Sequence, residues 1–102
     1  MKIQIAPDEY VKKLKYDDGL LYLTLLMIDG KNDWRLPTVE ELQYIDNNYD
    51  RISRVDKEFW TSTYKPAALV TYVFAENKSW TGYQSLHYAD ASNVYVLPVR
   101  TI

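Results

Sequence analysis

The chain has 102 residues, 47% of them apolar and 25% charged, a size and balance expected of one soluble domain spanning residues 1–102 and not of a disordered tract. A net charge of -2 with 12 scattered basic residues lacks the basic bank of a nucleic-acid binder. The absence of cysteine excludes disulfides, thiolate nucleophiles and zinc–cysteine sites.

Residues 2–5 alternate and predict a short first strand. Ala6-Pro7-Asp8-Glu9 carries the proline and acids of a first helical turn, while residues 10–16 read equally well as an extended arm. This beginning has no signal-peptide core, and the longest apolar-rich stretch, residues 20–28, is too short to span a bilayer. The expected setting is therefore the cytoplasm or a virion, with no membrane partner.

Asp17-Asp18, the run Leu20-Leu21-Tyr22-Leu23-Thr24-Leu25-Leu26-Met27-Ile28 and Asp29-Gly30 predict an N-capped, glycine-terminated helix. Apolar almost all round, it is expected to be buried on most sides; its Leu and Met content and end signals favour it over a buried strand. The next helix has a stronger start. Thr38 and Glu41 make a capping box, Pro37 stands where it can staple Leu42, and Val39, Leu42, Ile45 and Tyr49 recur at helical spacing until about Asn47-Asn48.

After Arg51 the pattern turns to period two. Residues 59–64 and 68–75 read as strands, the second apolar on both faces and so central. Residues 80–88 alternate, with Trp80, Leu86 and Tyr88 on one side and Thr81, Tyr83, Ser85 and His87 on the other. Residues 94–100 read as one closing strand in which Val94, Val96, Pro98 and Arg100 share a face, Pro98 marking an edge or a bulge. Helices first and strands second make an α+β order: two helices packed on a small, twisted antiparallel sheet.

Three ordered segments carry a resemblance: Trp34-Arg35-Leu36-Pro37-Thr38 with Glu41-Leu42, then Phe59-Trp60-Thr61-Ser62-Thr63, then Tyr95-Val96-Leu97-Pro98-Val99-Arg100. Together they resemble the C-type-lectin-like domain found at the C-terminus of collagen-like bacterial adhesins, over residues 17–102. Thr61 replaces a serine of that family's pattern and Leu97 an arginine. The resemblance implies a C-type-lectin-like fold, shared with formylglycine-generating enzymes and with phage receptor-binding proteins, without transferring an activity. The oxidase members rely on cysteines, which this chain lacks, and the calcium motifs of animal sugar-binding lectins do not occur in it.

Read from their own chemistry, the same residues are structural: Trp34, Arg35, Pro37, Thr38, Glu41, Trp60 and Arg100. Arg100 shares a strand face with valines, so it is expected to be partly covered, paired with Glu40 or Glu41, and costly to remove.

No catalytic constellation emerges. Asp46-x-Asn48-x-Asp50 opens like a calcium loop, but Arg51 stands where the turn glycine belongs and Lys57 where the last carboxylate belongs. His87 is the only histidine, and no nucleophile-elbow glycines surround a serine. Asn77-Lys78-Ser79 has the form of a glycosylation sequon. No cofactor or metal is expected, and the chain reads as a non-enzyme. The binding surface is placed at residues 80–93, where Trp80, Tyr83, His87 and Tyr88 interleave with small polar groups, Asp90 and Asn93 among them, as in adaptable antibody loops. In phage relatives the region before the final strand resembles the ligand-facing surface. The expected partner is a protein or a glycan. The alternative is a structural or oligomeric accessory protein, of phage origin, using the same aromatic surface between subunits of a homo-oligomer.

Overall fold

Strand β1 (Ile3–Ile5) pairs antiparallel with β7 (Val99–Thr101), so the two ends of the described chain lie side by side in a two-stranded sheet. The computed structural model describes residues 2–48, 57–65, 68–74, 83–88 and 90–102. Tyr49, Asp50, Arg51, the Asn77 sequon and Trp80 lie outside them. Between the terminal strands come a 3-10 turn (Asp8–Tyr10), β2 (Lys12–Lys13), helix α1 (Tyr16–Leu25), helix α2 (Val39–Asn48), β3 (Glu58–Lys65), β4 (Ala68–Val73), β5 (Tyr83–His87) and β6 (Tyr95–Val96).

The architecture is α+β, with a second sheet ordered β2-β6-β3-β4-β5. This sheet is mixed and not purely antiparallel, because β3 and β6 run parallel at Phe59 and Tyr95. The expected closing strand is also two strands. β6 joins the larger sheet and β7 the smaller, and the chain changes partner at Leu97-Pro98, where proline has no N–H to offer a ladder. The segment left open between helix and arm is both: Pro7 precedes the 3-10 turn, and β2 follows it.

Successive residues of β3 serve opposite faces. Phe59 packs in a core with Leu42 and Ile45 of α2, Tyr72, Phe74 and Leu97. Trp60 packs in another with Leu23, Trp34, Leu36, Val94 and Val96. Both aromatic rings are fully buried, which is what period two demands of a strand covered on each side. Phe59 and Phe74 meet edge to face with centroids 5.4 Å apart.

The first helix departs from expectation. It starts at Tyr16, so Asp17 and Asp18 occupy its first turn, where they favour the dipole, and its cap residue is Lys15, without a capping side chain. It stops at Leu25, ahead of Asp29-Gly30. Those two residues, with φ of 51° and 78°, form the middle of a tight turn closed by hydrogen bonds between Ile28 and Lys31 in both directions. Nor is the helix buried on most sides: Gly19 and Leu23 face inward, whereas Leu20, Leu21 and Leu25 are exposed. A Cβ on Gly19 would lie 2.7 Å from Val96 Cγ2, so the missing side chain lets α1 approach the sheet.

Candidate functional site

The three segments that carry the resemblance meet in space. Arg35 and Val99 exchange backbone hydrogen bonds of 2.8 and 3.0 Å, and Ser62 N–H donates to the Pro37 carbonyl at 2.9 Å. Ser62 is free to do so because β3 bulges between Trp60 and Tyr64. Within the bulge the buried Thr61 hydroxyl donates to the Val70 carbonyl at 2.7 Å and accepts from Thr63 N–H at 3.1 Å. A side-chain hydroxyl thus replaces bonds that the ladder gives up there.

Capping geometry then aims Glu41. Thr38 Oγ1 accepts from Glu41 N–H at 3.1 Å, and Glu41 Oε1 accepts from Thr38 N–H at 2.8 Å. The same carboxylate takes a two-pronged contact from Arg35, each oxygen 2.8 Å from a guanidinium nitrogen. Arg35 also donates to the Leu36 carbonyl and to Thr101 Oγ1. The Arg35 bonds hold the Glu41 carboxyl below its ordinary pKa, and Glu41 in turn raises that of Arg35.

Trp34 is buried, and its indole N–H donates to the Lys31 carbonyl at 3.0 Å. Pro37 is buried at the entrance to α2. Trp60 donates to the Leu14 carbonyl at 2.9 Å and meets Tyr16 edge to face at 5.5 Å.

Arg100 has a different partner from the one expected. Its Nε and one terminal nitrogen reach Asp33 at 2.6 and 3.2 Å, and the other terminal nitrogen donates to Gln4 Oε1 at 2.9 Å. Glu41 is already committed to Arg35, and the β1–β7 register places Gln4 opposite Arg100. The Arg100 side chain is 15% exposed but that of Asp33 is 55% exposed, so the stem is covered while the ionic end meets water.

Beside Arg35 opens a cleft of about 450 Å³, lined by Tyr16, Leu20, Leu23, Thr24, Trp34, Arg35, Leu36 and Ser62. It falls in the size range of small-ligand sites. Its one charged group is largely spent on Glu41, Leu36 and Thr101, leaving a mainly apolar and aromatic wall. Sequence reasoning did not find this cleft, since its lining comes from three distant segments.

Of the residues assigned to binding, Trp80 lies outside the described set. Tyr83 and His87 begin and end β5, the last strand in the sheet order, in register with Val73 and Leu69; their side chains are not among those described. Tyr88 follows β5 and is 72% exposed. Asp90, Ser92 and Asn93 are exposed too. Ala91 N–H donates to the Tyr88 carbonyl at 3.1 Å, and Val94, fully buried, accepts from Leu14 N–H at 3.1 Å. The turn between Tyr88 and Val94 is therefore held at both ends.

The chain matches no family model, no curated protein and no solved structure. Function has to be argued from the side chains. Among the described residues no three of His, Cys, Asp and Glu are grouped to hold a metal, and no helix is long and apolar enough to cross a membrane. Asp46, the first residue of the calcium-like pattern, is buried and accepts the Tyr72 hydroxyl at 2.8 Å.

Proposed function

We propose that the chain is a non-enzymatic binding module with a C-type-lectin-like fold, recognising a protein or a glycan through the surface of residues 80–93. The observation that carries this reading is Tyr88, a large amphipathic ring left 72% exposed on a turn anchored by Ala91 and Val94. An exposed aromatic on a held backbone loses little conformational freedom on binding, and the neighbouring Asp90, Ser92 and Asn93 offer polar contacts around it. The lectin-like assignment draws support from the convergence of the Arg35, Ser62 and Val99 segments, whose residues bond to one another.

The test is retention of the labelled chain on a glycan array and on a displayed-peptide library. Wild-type protein is expected to be retained by at least one probe, and Tyr88→Ala combined with Asn93→Ala is expected to lose that retention with an unchanged melting temperature. Equal retention by the variant, or none by the wild type, overturns the reading.

A further inference from the structure

Tyr88 and Tyr95 stand on either side of Val94 in the sequence and have different surroundings. The ammonium groups of Lys13 and Lys57 lie 5.8 and 5.2 Å from the centroid of the half-buried Tyr95 ring, so this ring draws its cations from the chain itself. Tyr88 is 72% exposed, and among the described residues no cation and no second ring is set against it. Its electron-rich face is open to solvent.

A carboxylate shares the turn with that ring. Ala91 N–H donates to the Tyr88 carbonyl at 3.1 Å, closing a four-residue turn whose ends lie within about 7 Å of each other, with the exposed Asp90 as its third residue. Asp90 has no ion pair among the described residues. An open aromatic face and an unneutralised carboxylate on one short turn favour a cation. A guanidinium suits both at once, because its flat face lies on a ring while its edge presents five N–H donors, two of which can fork to a carboxylate. The exposed Ser92 hydroxyl and Asn93 carboxamide offer acceptors to the donors left over. A neutral glycan would leave the Asp90 charge unused.

We infer that the Tyr88 turn takes an arginine side chain of a protein partner, its guanidinium stacked on the Tyr88 ring and bridged to the Asp90 carboxylate. This rests on the reading of residues 80–93 as the contact surface and chooses a protein over a glycan for it. One such contact in water is weak: an exposed ion pair contributes no more than about five-fold in affinity, and an exposed contact between a cation and a ring about two- to five-fold. The turn therefore selects the partner's residue more than it holds the partner.

Fluorescence anisotropy of a dye-labelled flexible peptide carrying two arginines, titrated with the whole chain at low salt, provides the test, beside versions in which lysine, citrulline or glutamate replaces both arginines. The arginine peptide is expected to bind best and the lysine version more weakly. The citrulline version, which keeps the shape without the charge, and the glutamate version should not bind. Asp90→Asn should weaken arginine binding about five-fold and Tyr88→Leu about two- to five-fold. Tyr88→Phe, which keeps the ring, and Asp29→Asn, which removes a carboxylate outside the turn, should bind as wild type does. Melting temperatures establish that the variants are folded. Citrulline binding equal to arginine binding, an undiminished Asp90→Asn, or a Tyr88→Leu indistinguishable from Tyr88→Phe overturns the inference. An arginine peptide left unbound, while wild type retains a neutral glycan that the Tyr88→Ala and Asn93→Ala double variant loses, overturns it too but leaves the contact surface standing. Retention of no probe at all overturns both.

Discussion

Replacing Glu41 by Gln probes the brace where the three sequence segments meet. The carboxylate accepts from both terminal nitrogens of Arg35 and from Thr38 N–H, all at 2.8 Å, and its side chain is only 10% exposed. Glutamine keeps the shape but offers one acceptor, and its amide group turns a donor toward another donor. Two charge-assisted bonds alone would suggest about 3–6 kcal/mol. Arg35, however, is 38% exposed, and solvent screening brings such a pair toward the surface range of about 0–1 kcal/mol. A loss of about 1–2 kcal/mol lies between these limits, equivalent to a melting point lower by about 5–10 °C at this chain length.

The pH dependence distinguishes the charge from the shape. Arg35 depresses the folded pKa of Glu41, so the unfolded chain binds that proton more readily than the folded one. The contribution is complete above the ordinary carboxylate pKa and disappears as pH falls through the folded value. Urea denaturation of wild type and Glu41→Gln should therefore show a gap near pH 7 that closes as pH falls below the ordinary carboxylate range. Equal stability at neutral pH, or a gap that persists undiminished in acid, would refute the ionic account of this brace.

Gly19→Ala should lower stability by about 1 kcal/mol, the overpacking against Val96 exceeding the roughly 1 kcal/mol gained in helix propensity. Combining it with Val96→Ala should cost less than the two separate losses added together, as measured by denaturation in a double-mutant cycle. Arg100→Ala should cost less than the sequence suggested, because Asp33 is an exposed partner. Its deficit should shrink in about 1 M salt, and a salt-independent deficit would show that the covered stem dominates. Tyr72→Phe removes the hydroxyl that Asp46 accepts inside the core and should cost about 1–2 kcal/mol by chemical denaturation, whereas no loss would show that water replaces it.

The capping box was legible because its parts are three residues apart and act through local backbone geometry. The pairing of Glu41 was not. Adjacent Glu40 and Glu41 look alike in sequence, but the helix phase set by Thr38 leaves Glu40 exposed and turns Glu41 toward Arg35, so Arg100 has to find Asp33. Tyr88, placed on the binding surface by its mixture with small polar neighbours, lies just past the end of β5 at His87, so the period two of the strand does not fix where its ring faces. The cleft beside Arg35 had no sequence signal, being assembled from α1, the Trp34–Leu36 segment and Ser62.

Local chemistry alone settled the α+β order and the start of α2, whose capping box depends on a few neighbouring dihedrals and hydrogen bonds. Only the tertiary structure decided that residues 94–101 split between two sheets, that Arg35 and Arg100 choose different carboxylates, and that α1 leaves its leucines in water. Those outcomes depend on which surfaces remain to be covered once the sheet has formed. Hydrophobicity states that Leu21 and Leu25 favour burial; the fold supplies nothing within the described chain to bury them.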